Sequence, residues 1–542
     1  MRRGWSEREL PVGVETGPAD ARHQVFGPAV VTIGGRVALL EDQDRTSAIE
    51  RRDPSGEAGG TGTDDQHVYL GHGVHAGDSC GVNMSRRVAT FLSEVSRSPT
   101  LINVFAGAGG LALGFEQAGF VVAGAIEPDP VHAATFKRNF SSANIVCGPV
   151  ETASLGDIAS VSGVDVLAGS LPSSAFSNGG RRDPEDDRRK FLDHFAEVVI
   201  AIRPRAYVLE AVPGLLSRAN ADQFHSALAH LTAAGYASPQ IWNLNAADFG
   251  LPQNRARVWV IGVTDDVTQP TTPVATVLPV HRRPAGLPVL SRNGVPVGPT
   301  VRDAIGDLPD PRDHVDLRTS DRMRLPNIGP EPSSWARELA ADGQIGHSAL
   351  RRVDAGLLTA SQSTDHTFSS LARFEQTPPG TVEPVSRFYR LHPEGLSRTL
   401  RAGTGRNRGS FTGPRPLHPT QPRVITVREG ARLQGFPDWF GFNATKWHGF
   451  HQVGASAPPP VARAVAQQLI AALDLLPKTP RDEELPDESL LFLDLTRAAR
   501  RLGATVLPEP RRRGTRRKPR SRDRPRATAQ LALPMDNGLR FS

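Results

Sequence analysis

From Leu101 to Val263 short apolar runs alternate with amphipathic stretches, and no other feature constrains this chain as strongly. LINVF (101–105), VVAGAIE (121–127), VDVLAG (164–169), AYVLEAV (206–212) and ARVWVIGV (256–263) have the length and β-branched content of buried strands. Between them, LALGFEQAG (111–119), HAATFKRNF (132–140), FLDHFAEVVIAIRP (191–204) and FHSALAHLTAAG (224–235) read as helices, with apolar residues three and four apart. Such alternation predicts an α/β fold, with a mostly parallel sheet and helices on both faces. In sheets of this kind ligands bind at the carboxyl ends of the strands. The loops after the first, second and third runs are therefore where a site is expected.

The remaining organisation is read from composition. Residues 1–97 lack sustained periodicity and carry stretches such as DPSGEAGGTGTDD (53–65), so a largely disordered extension is expected. Met84 opens MSRRVATFLSEVSRSP directly before the first strand and is an alternative start. Residues 98–263 read as one α/β domain, the one expected to carry the site, and 264–421 as a Pro-rich linker with a smaller, irregular second domain. Residues 422–476 return to the first domain, ending in a helix opened by proline (PPPVARAVAQQLIAALDLL, 458–476). Residues 477–542 read as a basic disordered tail, with RRRGTRRKPRSRDRPR at 511–526.

The net charge of +6 suits a polyanionic partner. Cys80 and Cys147 are the two cysteines; no disulfide framework and no CxxC metal signature is expected, and no metal site. No apolar run reaches the ~20 residues of a membrane span. MRRGWSERELPVG lacks a signal-peptide core. A soluble cytoplasmic protein is expected.

The first loop, FAGAGGLALG (105–114), joins strand to helix through Gly107, Gly109 and Gly110, which permit a tight turn and a close backbone approach to a ligand. Phe105 opens it. Glu127 ends the next strand, where a carboxylate can accept both hydroxyls of a ribose. The Gly107-x-Gly109-x-x-Ala112 spacing also fits a dinucleotide fingerprint, so by itself the loop does not separate NAD from S-adenosylmethionine.

Six segments in order separate them. NVFAGAGGLALGFEQAGF (103–120), Glu127 with Pro128, YVLEAVPGLL (207–216), LNAADFGLPQNRARVWVIG (244–262), RVITVREGARLQGFPDWF (423–440) and HQVGASAPPPVARAVA (451–466) together resemble the DNA cytosine-5 methyltransferases. The resemblance spans roughly residues 100–475. It implies a Rossmann-like S-adenosylmethionine-dependent methyltransferase domain with a target-recognition domain. It also implies S-adenosyl-L-methionine as cofactor, held by Phe105, Gly107, Gly109, Gly110, Glu127 and Pro128, and double-stranded DNA as partner. RLHPEGLSRTLRAGTGRNRGSFTGPRPLHPTQPR (390–423) is the segment best suited to DNA contact, with arginines for phosphates and guanine edges.

In that family the third loop reads Gly-Pro-Pro-Cys-Gln-x-Phe-Ser and its cysteine is the nucleophile that adds to C6 of a flipped cytosine. Here it reads Gly169-Ser170-Leu171-Pro172-Ser173-Ser174-Ala175-Phe176-Ser177, with Ser173 at the cysteine position. A thiol ionises near pH ~8.5, whereas a hydroxyl sits nearer water's ~15.7; the gap is worth about 10 kcal/mol. An alkoxide's greater nucleophilicity offsets part of this, and a positioned base contributes only ~10²–10⁴-fold. The family's Glu-Asn-Val is Glu210-Ala211-Val212, and its Val-Gly-Asn-Ala-Val-Pro-Pro is Val453-Gly454-Ala455-Ser456-Ala457-Pro458-Pro459. Pro149 stands where the resemblance implies an acid, and the sequence leaves open whether nearby Glu151 substitutes for it. Glu210, Gln253, Arg255, Arg257, Arg428 and Glu429 persist. Ser173, Glu210, Arg255 and Arg257 are thus the catalytic positions. The expectation is a homologue impaired or inactive in catalysis, serving restriction-modification or an active methyltransferase partner. The alternatives are an active enzyme using Ser173 or another nucleophile, and an RNA-directed relative.

Overall fold

A computed structural model describes residues 98–504, apart from 152–162, 173–175, 177–189, 281–294, 326–328, 341–344, 352–353, 355, 404–412, 414 and 484–485. It also describes two strands nearer the amino terminus, β1 (Ala29–Ile33) and β2 (Arg36–Leu40), paired antiparallel. Those strands belong to a unit spanning Met1–Ser79, and all that follows belongs to a second unit, Cys80–Ser542. The rest of the expected extension, and residues 505–542 of the expected tail, lie outside the described residues.

The second unit is built on seven strands: β3 (Thr100–Val104), β4 (Val121–Glu127), β5 (Asn144–Cys147), β6 (Val166–Ser170), β7 (Ala206–Ala211), β8 (Gln240–Asn245) and β10 (Ala256–Val263). A two-residue strand, β9 (Gln253–Asn254), lies outside this sheet. Their order is β5-β4-β3-β6-β7-β10-β8. The first five run parallel, and β10 runs antiparallel to both its neighbours. The chain order reverses between β3 and β6, the switch point at which such sheets open a crevice.

Both faces of the strands are apolar, and each face has its own helices. Leu101, Val166, Val208 and Ile261 pack in one buried cluster with α1 (Gly110–Ala118) and a late helix, α7 (Pro459–Ala472). Ile102, Leu167, Leu209 and Val260, one residue out of phase, pack in another with α3 (Phe191–Ile202) and α4 (Ala221–Ala233). The period of two along each strand assigns alternate side chains to opposite faces. α2 (Pro130–Asn139) follows β4, its first turn capped by Asp129, whose carboxylate accepts the N–H of Val131 and His132.

Among the described residues, 301–420 hold short helices and two-residue strands. Their strand Ser397–Arg398 pairs in parallel with β9. The chain then returns through α5 (Val427–Leu433) and α6 (Lys446–Ala455) to α7. One expectation needs correcting. Residues 477–504 are not an irregular tail: a 3-10 turn at Glu488–Phe492 and a helix at Leu495–Arg501 pack Leu490 and Ala498 onto Val131 and Ala134 of α2.

Candidate active site

The glycine loop and the acid that follows it are tied together. Phe105 leaves β3 with φ of 51°, unusual for a residue with a side chain, and its ring packs on Phe191 at 5.3 Å. Gly107 and Gly109 follow with φ of 58° and 104°. That path points the Gly107 N–H at Glu127, whose Oε2 accepts it at 2.7 Å. Oε1 accepts the N–H of Asp129 at 2.9 Å. Burial pushes the Glu127 carboxyl up from its ordinary value, and His132, its Nδ1 4.0 Å from Oε1, works against that rise. Gly109 lies against Phe140 and Phe136, and a side chain at Gly110 would meet the Ala457 carbonyl oxygen at 2.5 Å. A side chain at Gly107 or Gly148 would meet nothing within 4 Å. Pro128 is exposed beside them. The loop therefore leaves open space at Gly107 and Gly148 beside a buried carboxylate.

A second carboxylate, Glu210, ends β7 and is 3% exposed. Arg257 Nε on β10 lies 2.9 Å from its Oε1, and the Ser170 hydroxyl at the end of β6 donates to its Oε2 at 2.9 Å. The structure thus brings Glu210 and Arg257 together. Arg255 points elsewhere, donating to the carbonyls of Leu400, Gly454 and Ser456 at 3.0, 3.3 and 2.9 Å. Gln253, wholly buried, donates to Leu433 and Gln434 and accepts from the Leu400 N–H. Arg428 is equally buried and donates to the carbonyls of Thr359, Pro437 and Phe440. Ser173 lies outside the described residues.

Two further residues, Glu151 and Cys147, have settled surroundings. Glu151 Oε1 sits 2.7 Å from Nδ1 of His194 on α3. Cys147 is half-buried, and burial, reinforced by Glu127 and Asp129, pushes its thiol up to about 12, so it holds its proton at neutral pH. Sequence reasoning passed over Ser170; the available signal was a hydroxyl closing the otherwise apolar VLAGS beside the acid of the next strand. It also passed over His132 and His451, whose Nε2 and Nδ1 approach to 3.2 Å between α2 and α6.

The profile described as C-5 cytosine-specific DNA methylase matches residues 100–471. The type II methyltransferase M.XorII of Xanthomonas oryzae pv. oryzae is 40% identical over 416 residues, covering 75% of this chain and 93% of that protein. M.AgeI of Thalassovita gelatinovora is 29% identical, covering 69% and 99%. Among solved structures, a prophage-encoded E. coli chain assigned as a DNA modification methyltransferase superposes with a TM-score of 0.55 at 28% identity. That match covers 70% of this chain and all of the other.

Proposed function

The chain belongs to the C-5 cytosine-specific DNA methylase family, and from that premise we propose that it is a DNA- and cofactor-binding homologue of type II modification methyltransferases in which methyl transfer is lost or severely impaired. The family's cofactor is S-adenosyl-L-methionine, which when bound supplies the methyl group. The open space over Gly107 and the buried carboxylate of Glu127 suit its methionine and ribose portions, with Phe105 and Pro128 flanking them. No described helix is long and apolar enough to cross a membrane.

One observation carries the loss of activity: Ser173 stands where the family has its nucleophilic cysteine. A serine hydroxyl, with a pKa nearer water's ~15.7 than a thiol's ~8.5, is almost wholly protonated at neutral pH. Cys147, with its thiol pushed up to about 12, is a poor replacement. What persists is the part that would hold a base and brace the frame. Glu210 and Arg257 are paired, and Arg255, Gln253 and Arg428 link the irregular region to α5 and the turn before α7. A protein with these parts intact can bind DNA beside an active methyltransferase or a restriction enzyme. The intact Glu210–Arg257 pair is also what favours the second reading, residual activity through Ser173.

The test is expression in a host without cytosine methylation, followed by genome-wide mapping of 5-methylcytosine. Calorimetric titration of the purified protein with S-adenosyl-L-methionine runs alongside. The expected result is cofactor binding without methylation. A reproducible methylated motif overturns the loss of activity, and absent cofactor binding overturns the assignment of the Glu127 site.

A further inference from the structure

Within the chain, one oxygen of Glu210, Oε2, accepts a hydrogen bond, while Oε1 faces Arg257 as an ion pair and accepts no hydrogen bond among the described residues. Ser170 lies in register beside Glu210 on the neighbouring parallel strand, and its hydroxyl donates to Oε2 at 2.9 Å. Arg257 approaches Oε1 from β10, the strand on the other side. The backbone supports the first contact, because the Leu171 N–H donates to the Glu210 carbonyl at 2.9 Å. The backbone of Ser170 is thereby held beside Glu210, and its hydroxyl leaves the carboxylate only by rotating about its own Cα–Cβ bond. The pattern this loop resembles has glycine there, which offers no hydroxyl.

We propose that Ser170 is a positioning residue that ties up Oε2 of Glu210, so that an extrahelical cytosine reaches that oxygen only in competition with the serine hydroxyl. The inference rests on the DNA-methylase reading above. A cytosine amino group and the serine hydroxyl are both donors, and a buried carboxylate oxygen satisfied by one gains less from the other. Buried hydrogen bonds to carboxylates are among the stronger ones in proteins, so the competition weakens capture of an unpaired cytosine by roughly tenfold or more. The block is independent of Ser173, and it means that restoring the thiol restores only one of two missing conditions.

The test uses the full chain and duplexes it retains from a randomised pool. Affinity is measured for a retained duplex and for the same duplex with the nucleotide opposite each cytosine removed in turn. Unpairing a base lowers the cost of extruding it. The expected result is that wild type gains less than about threefold from any unpaired cytosine, while Ser170→Gly and Ser170→Ala gain about tenfold at one position. That gain disappears when Glu210→Gln is added. Ser170→Ala keeps the β-carbon and so reports the loss of the hydroxyl even where Ser170→Gly disturbs the strand. Equal discrimination in wild type and both variants overturns the inference and leaves DNA binding standing. A wild-type chain that retains no duplex overturns the DNA-binding reading and this inference with it.

Discussion

Two buried glutamates end in opposite electrostatic states, and the difference lies in what faces each. Burial raises Glu127, whose two oxygens each accept a backbone N–H and face, among the described residues, no cation closer than His132. Burial also works against the charge of Glu429, but the Arg423 guanidinium, 2.7 Å away, outweighs it and holds the carboxyl down at about 2. Glu429 accepts the Thr426 N–H as well, closing a capping box on α5. A carboxyl held below its unfolded value stabilises the fold above that value, 4.5, and loses the contribution as pH falls through about 2. Glu429→Gln is therefore expected to cost about 3 kcal/mol at pH 7. Urea unfolding of both proteins at pH 7 and pH 3 checks this, the gap narrowing at the lower pH. The placement of Glu127 against the glycine loop was legible in the sequence because the acid closes the strand that follows that loop. The separate fates of Arg255 and Arg257 were not, since two arginines two apart on one strand segment differ only in what the fold brings opposite them. At Ser173 the expected outcome is that Ser173→Cys alone leaves the host genome unmethylated, because Ser170, Ala211 and Ala455 remain. Strong methylation by that single variant, mapped as above, shows that one atom was all the chain lacked.

At the scale of elements, the sheet and its helices were readable because each strand's period of two and each helix's three-four spacing are local signals. The reversed direction of β10 was not, because an apolar run carries no sign of its orientation. β8 also went unread, with exposed Ile241 between Gln240 and Trp242 breaking the buried pattern. The contact that joins the start of the chain's core to its end is α1 against α7. Its closeness depends on Gly114, where a β-carbon would press on the Pro459 carbonyl and lie 2.5 Å from the Ala462 β-carbon. Gly110, one turn earlier, meets Ala457 and Ser456 in the same way, so α7 and the turn before it form a wall of the glycine loop. Gly114→Val forces the two helices apart at a backbone contact that has no flexible side chain to yield. The expected loss is about 1–3 kcal/mol, read as a lower urea midpoint at unchanged slope. Cofactor affinity falls with it, since the loop loses its backing.

For the second unit as a whole, the boundary that sequence composition drew at residue 476 falls inside a packed structure. Charged residues dominate beyond Pro477, and composition alone reads them as solvated. Spatially they answer charges set far earlier in the chain. Glu483 lies 2.8 Å from Arg351, which also pairs with Glu116 of α1 at 2.7 Å and stacks over Trp439. Glu488 pairs with Arg138 of α2. The backbone joins as well: Lys478 N–H donates to Gly119 and Ala444 N–H to Leu491. Apart from Ala444 with Leu491 and Arg351 over Trp439, these pairings span more than a hundred residues, and no local pattern announces them. Ending the chain at Leu476 uncovers Val131 and Ala134 and takes from Arg138 its carboxylate partner. α2 begins three residues after Glu127, so loosening it loosens the acid that would hold the ribose. The shortened protein is expected to melt several degrees lower, to bind a hydrophobic dye that the full chain excludes, and to lose affinity for S-adenosyl-L-methionine. A melting temperature and cofactor affinity equal to those of the full chain would show residues 477–504 to be passengers on the fold. A drop in both, with dye binding, makes them the outer support of the cofactor site.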